Sequence, residues 1–303
     1  MLFQRRQILA GCAVAIGCSN DWWMKLGLSA ETRSNDDLRG LIGVTTGSFQ
    51  RNFSPTPEAG KLCLLDLPKI MRDELGMRVL DVMTASFPSM EPDYLAEFRS
   101  RSEKAGCIIT NLKMNQPGID IGSENQEERN RAIAIYQKSI DAAEQLGCRW
   151  VRPLPLSELP SWDRYLESYR RLMDYAAPKG ISLLVENYGW MKDKPDAIPS
   201  LIKAVGPGLA AAPDIGNWTN EVRYDALTKA FPLAVTCDFK AFAFDEKGEH
   251  SAYDLKRCFQ IGWDVGFRGP WCFEHFHSSL PTLFKEMIRL REMIETWTKE
   301  STT

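Results

Sequence analysis

Gly180-Ile181-Ser182-Leu183-Leu184-Val185-Glu186-Asn187 is the stretch on which the fold turns. A glycine, an apolar run of strand length and an acid at its end follow an amphipathic stretch of helical period at about 162–177. The same order occurs just upstream. Ile133, Ile140 and Ala143 share one face of a predicted helix over 126–146, Gly147 follows, and a strand is predicted over 149–154. Glycine suits that junction because it takes the left-handed conformation of a helix C-terminus without steric cost. A strand, a crossover helix and a second strand predict parallel neighbours.

Working outward, the unit recurs along the chain. Strands are predicted over 41–46, 77–83, 107–114, 149–154, 181–186, 209–214, 234–240 and 271–274. Helices are predicted over about 62–75, 92–104, 126–146, 162–177, 195–205, 224–230, 253–265 and 281–298. Gly76, Gly106, Gly147, Gly180, Gly206 and Gly266 each stand between a helix and the next strand. Eight alternating units predict an α/β fold, a parallel eight-stranded (β/α)8 TIM barrel with outer helices. An open doubly wound sheet predicts a Gly-x-Gly-x-x-Gly turn after the first strand, and Thr46-Gly47-Ser48-Phe49 is not one. No low-complexity linker divides residues 41–299, so 36–303 is read as a single catalytic domain.

Composition agrees with a globular enzyme: 44% hydrophobic and 25% charged residues over 303. A net charge of -3 argues against a nucleic-acid partner, which requires a basic face. Residues 1–35 read as a leader. Arg5 and Arg6 precede a short apolar run, 8–18, in the manner of a twin-arginine export signal. The run is too short to span a bilayer, which needs about 20 apolar residues. Ala15-Ile16-Gly17-Cys18 resembles a lipoprotein cleavage site, and Leu28-Ser29-Ala30 a signal-peptidase site. The expected location is the bacterial periplasm, or the cytoplasm if the leader is not functional. Beyond Cys12 and Cys18, six cysteines are scattered singly among apolar residues, with no Cys-x-x-Cys, and read as free thiols.

In such a barrel the active site lies at the C-terminal ends of the strands. Strands five to eight end on Glu186, Asp214, Asp238 and Glu274. A single strand-end acid is ordinarily a helix cap or a salt-bridge partner. Four in succession on one rim would repel one another unless a cation sits among them, and a hard divalent cation answers that need. Further polar candidates on the rim are Asn111, Lys113, Arg152, Asn187, Asn217, Lys240, His275 and His277, with Trp190 and Trp218 as rings for stacking on a ligand. The third histidine, His250, falls in a charged loop and reads as solvated.

The chain resembles the xylose-isomerase-like barrels, the sugar phosphate isomerases and epimerases. The resemblance covers nearly all of 41–299 and is densest in Val185-Glu186-Asn187-Tyr188-Gly189, Asp214-Ile215-Gly216-Asn217, Asp238-Phe239-Lys240 and Gly269-Pro270-Trp271-Cys272-Phe273-Glu274. It implies one metal held by Glu186, Asp214, position 238 and Glu274. It also implies that a metal-stabilised enediolate forms next to a carbonyl, with Glu186 and Glu274 as the opposed acid and base and Lys240 near the developing oxygen charge. The expected partner is a small carbohydrate.

Position 238 departs from the pattern: the family's His-x-Lys is Asp238-Phe239-Lys240. If Asp238 ligates, the all-carboxylate shell favours Mg²⁺ or Mn²⁺ over zinc. Otherwise His275 or water completes the shell, or the site has lost its metal. Two other functions stay open: a keto-sugar or keto-glycoside lyase or dehydratase sharing the first step, and a non-catalytic carbohydrate-binding barrel. A DNA-repair endonuclease with a multinuclear zinc site is disfavoured by a count of only three histidines.

Overall fold

A computed structural model describes residues 35–302 apart from Pro57 and Pro117. Arg5, Arg6, Cys18 and 28–30, on which the expectation of an export leader rests, lie outside the described residues.

Eight strands alternate with eight helices. They run β1 (Ile42–Thr45), α1 (Leu67–Asp73), β2 (Val79–Met83), α2 (Pro92–Lys104), β3 (Ile108–Met114) and α3 (Gln126–Leu146). There follow β4 (Trp150–Pro153), α4 (Trp162–Ala176), β5 (Ser182–Val185), α5 (Ala197–Val205) and β6 (Leu209–Ala211). The chain ends with α6 (Arg223–Ala230), β7 (Cys237–Lys240), α7 (Leu255–Asp264), β8 (Trp271–Glu274) and α8 (Leu280–Glu300). The sheet order is β6-β5-β4-β3-β2-β1-β8-β7, with parallel pairing throughout. Pairing of β1 with β8 curls the sheet round, and parallel bridges Ala211–Ala234 and Asp214–Asp238 join β6 to β7. This is the (β/α)8 barrel that the alternation predicts.

The junction glycines behave as their places require. All six have positive φ, and Gly147 at +77° closes α3 in the left-handed conformation. At the other end of α3 the Asn125 side chain accepts hydrogen bonds from the Glu127 and Glu128 backbone N–H groups.

The strands divide their side chains by the period of two. Leu112, Val151, Leu183, Val185, Phe239 and Phe273 belong to the main core with the surrounding helices. Trp150, Leu184 and Ala212 form a separate cluster closed by Leu38, with Ile108, Ala210 and Val235 around it. This cluster plugs the barrel interior. Burying each large apolar side chain contributes roughly 1.5–3 kcal/mol. Two residues further along the same strands come Arg152, Glu186 and Asp214. The charged layer thus rests on a dry apolar one.

The described cysteines are all free, and five of the six are buried. Burial pushes the Cys107 thiol up to about 11 and the Cys258 thiol to about 12, which suits inert packing. Among the described residues no helix is long and apolar enough to cross a membrane.

Candidate active site

The charged layer gathers residues from seven strand ends: Asp81 on β2, Asn111 and Lys113 on β3, Arg152 on β4, Glu186 after β5, Asp214 after β6, Asp238 and Lys240 on β7, and Glu274 on β8. Alternation explains the pairs, because Asn111 with Lys113 and Asp238 with Lys240 stand two apart and share the inner face.

The acids are matched to cations. Lys113 Nζ lies 2.6 Å from Asp238 Oδ1, 3.6 Å from Glu274 Oε2 and 3.9 Å from Asp81 Oδ2. Lys240 Nζ lies 2.7 Å from Glu274 Oε1 and 3.0 Å from Asp214 Oδ2, and donates to Asn217 Oδ1 at 2.9 Å. The other end of that amide, Asn217 Nδ2, donates to Glu186 Oε1 at 3.1 Å. Arg152 Nε stands 2.9 Å from Glu186 Oε2, an ion pair that lacks the alignment of a hydrogen bond. Asn187 is fully buried and clamps the β6 end: its Nδ2 donates to Asp214 O at 2.9 Å, and Asp214 N donates to its Oδ1 at 2.8 Å.

Burial and charge then oppose each other. Burial raises Asp81 and Asp214 to about 6, against the pull of Lys113 and Lys240 respectively, and pushes Asp238 well above the ordinary range. Burial acts on Glu274 in the same sense, but Lys113 and Lys240 outweigh it and hold this carboxyl below its ordinary value. The four-carboxylate surroundings of Lys113 overcome its own desolvation and keep it protonated. Glu274 and Lys240 are the members that reach solvent, with side chains 15% and 13% exposed, against 2% for Lys113 and Asp238.

The residues fit a cation. Glu186, Asp214 and Asp238 each offer an oxygen within 4.8 Å of the other two, and all three are buried. Glu186 Oε2 and Asp238 Oδ2 are buried without a hydrogen-bond partner. Five carboxylates against three cations leave a formal excess of two negative charges in the layer. A hard divalent ion bound by oxygen would satisfy both the charge and the oxygens that lack a hydrogen bond. Glu274 stands apart from this group, held by the two lysines.

The remaining sequence candidates separate. Asn111 is buried, and neither of its amide atoms makes an aligned hydrogen bond. Trp190 and Trp218 are placed in the main core rather than as open ring faces; Trp190 sits edge-on to Trp162 at 6.1 Å. His275 turns away from the mouth, with Nδ1 2.9 Å from Ala241 O and Nε2 2.6 Å from Glu286 Oε2 on α8. His277 lies in the turn before α8, where its Nδ1 accepts from Ser279 N at 2.9 Å. His250 is not simply solvated, as its loop suggests. It is half-buried, with Nε2 accepting from Phe242 N and Nδ1 on Tyr253 O. Asp81 escapes a reading based on strand ends. Its signal is a lone charge in the apolar run Val79-Leu80-Asp81-Val82-Met83. A cleft of about 970 Å³ between α8 and the 244–248 loop is lined by none of these acids and lysines and approaches them through Phe244 and Glu286, both partners of His275.

Fold and site together define a TIM barrel with a buried acid–lysine floor at its C-terminal mouth. The chain belongs to the xylose isomerase-like TIM barrel family, whose model matches residues 73–299. Among solved structures it is similar to L-ribulose 3-epimerase (16% identity, 87% of this chain and 97% of the other, TM-score 0.66). A xylose isomerase-like TIM barrel protein from Mycobacterium smegmatis in complex with magnesium is similar as well (19%, 85% and 97%, TM-score 0.62). So is the probable 3-DHS dehydratase of petrobactin synthesis from Bacillus anthracis (12%, 82% and 98%, TM-score 0.62). At these identities the likeness is one of fold. No curated protein sequence matches this chain.

Proposed function

We propose that this protein is a sugar isomerase or epimerase that moves a proton on the carbon beside a carbonyl. The observation that carries the reading is Glu274, a solvent-reaching carboxylate held ionised between Lys113 and Lys240, which link it to Asp238 and Asp214 of the buried group Glu186, Asp214 and Asp238. An ionised carboxylate at the mouth is suited to take a proton as general base. Lys240, protonated and within reach of solvent, stabilises negative charge on the substrate oxygen. In this reading Glu186 is the second carboxylate and returns the proton, with Arg152 and Asn217 fixing its orientation.

Glu186, Asp214 and Asp238 would hold one divalent ion, Mg²⁺ or Mn²⁺ by the hardness of their oxygens, with Glu274 at its edge. Bound there, it would supply Lewis-acid polarisation of the carbonyl. The magnesium complex of the Mycobacterium smegmatis relative supports that choice.

A second reading, a lyase or dehydratase on a keto-sugar or keto-glycoside, shares the proton abstraction and is supported by the dehydratase among the structural neighbours. Incubating the protein with Mg²⁺ and a panel of keto-sugars in D₂O, followed by NMR, separates the readings. Deuterium with an altered stereocentre or a moved carbonyl marks an isomerase or epimerase. Deuterium with an expelled group marks a lyase. No deuterium in any sugar refutes both and leaves a binding barrel.

A further inference from the structure

The head of Lys240 is held on three sides. Its Nζ lies 3.0 Å from Asp214 Oδ2, 2.9 Å from Asn217 Oδ1 and 2.7 Å from Glu274 Oε1. An ammonium has three N–H groups to offer, so these acceptors fix the end of the side chain. The stem is left with one path, and that path crosses Gly216.

Gly216 is not among the glycines with positive φ, so the backbone there does not call for glycine. Space does. A Cβ at 216 would stand 2.6 Å from Lys240 Cδ, 3.0 Å from Lys240 Cβ and 2.9 Å from Tyr253 Oη. Carbon atoms in contact stand about 3.5–4.0 Å apart, so a side chain here requires the lysine to move. The backbone of the same residue is engaged as well: Gly216 N donates to Asp214 Oδ1 at 2.7 Å. Gly216 thus holds one oxygen of Asp214 and leaves the room through which Lys240 reaches the other.

The second wall is Tyr253, just before α7. Its ring is buried, and its hydroxyl donates to Lys240 O. The Arg223 guanidinium lies over that ring at 3.9 Å and donates to Ile215 O, one residue before Gly216. Arg223 and Tyr253 therefore tie the β6–α6 loop, which carries Gly216, to the end of β7, which carries Lys240.

We propose that Gly216 and Tyr253 are positioning residues for Lys240, two walls of a slot that sets its ammonium between Asp214 and Glu274. The inference rests on the reading of Lys240 as the group beside the substrate oxygen. Charge stabilisation works when the cation is in place before the charge develops. Misplacement by about 1 Å can cost about 10²-fold in rate.

The test compares Gly216→Ala, which fills the slot, with Tyr253→Phe, which removes one oxygen and no carbon. Reductive methylation of the full chain, read by peptide mass spectrometry, reports how firmly each lysine is held. In both variants methylation of Lys240 should rise about ten-fold or more, while that of Lys113 in the same floor stays within about two-fold of the unsubstituted protein. Lys240 unchanged in both variants overturns the proposal. So does a parallel rise at Lys113, which marks a general loosening of the floor. A rise in one variant alone strikes the other residue from the slot, and Tyr253→Phe carries the test if Gly216→Ala does not fold. With any keto-sugar that exchanges deuterium, both variants should lower kcat about ten-fold and leave KM within about two-fold, as for an interaction made in the transition state. A raised KM at unchanged kcat overturns the positioning role and makes the pair a substrate-binding wall. If the unsubstituted protein exchanges with no keto-sugar, the catalytic reading falls, and the labelling of Lys240 still decides the slot.

Discussion

Lys113 on β3 and Asp238 on β7 meet across the width of the barrel, Nζ to Oδ1 at 2.6 Å, with both side chains 2% exposed. The lysine thus neutralises the carboxylate that stands where the family pattern has histidine. A buried pair of this kind is worth little against an apolar replacement, but losing one partner strands the other's charge. Lys113→Met should cost about 3–5 kcal/mol in urea unfolding. The double variant Lys113→Met/Asp238→Leu should cost clearly less than the sum of the single changes. Additive losses would show that the two groups do not depend on each other.

Cation binding separates the carboxylates. Asp214→Asn removes a member of the buried oxygen group and should weaken Mn²⁺ binding, read by electron paramagnetic resonance, about ten-fold or more. Glu274→Gln, outside that group, should weaken it far less. Equal losses would place Glu274 in the first coordination sphere. Asp238→His should move the preference toward zinc, since imidazole suits the softer ion.

Asp81 gives the apo-protein a pH signature. Its carboxyl is raised to about 6 by burial, from an ordinary 3.8. Its proton therefore favours the folded state at low pH, and this contribution is lost as pH rises from about 4 through about 6. About two pH units at 1.4 kcal/mol each give up to roughly 3 kcal/mol. Wild type should lose more stability than Asp81→Asn between pH 4.5 and 7, by urea titration with chelator present. Parallel pH profiles would refute this.

Catalytic roles predict unequal losses. Glu274→Gln should lower deuterium exchange about 10²–10⁴-fold as the lost base. Lys240→Met should lower it about 10²–10³-fold by removing charge stabilisation. Thermal midpoints and Mn²⁺ affinity measured alongside separate chemistry from misfolding.

The leader supplies the remaining test. If Arg5 and Arg6 direct export, Arg5→Lys with Arg6→Lys should leave the protein in the cytoplasm on cell fractionation. Unchanged periplasmic recovery would refute the twin-arginine reading.

The barrel was legible because its signals are local: alternating periods and a glycine at six of the seven helix-to-strand junctions. Boundaries moved where tertiary pairing decides them. The seventh strand reads from 234 by its β-branched run, yet β7 starts at Cys237, because Ala234 makes only an isolated bridge to β6. The first helix reads from 62 but begins at Leu67, with Pro68 in its opening turn and a short 3-10 segment before it. The strand-end acids could be found from sequence because position along a strand fixes depth in the barrel. Their cations could not be assigned so easily, since Lys113 reaches Asp238 across 125 residues. Trp190 and Trp218 carry the residue type expected at a sugar site but lie in the core. Tyr188, two residues before Trp190, is an exposed ring instead.

The junction of β6 with β7 is the barrel's least laddered seam, and side chains of the floor cross it. Asp214 stands on one bank, Asp238 and Lys240 on the other, and the Asp214–Lys240 pair already laces them. Anything gripping those carboxylates would also draw the cylinder shut. Occupancy and architectural integrity would then be governed by one set of atoms, so loosening recognition here would loosen the container itself.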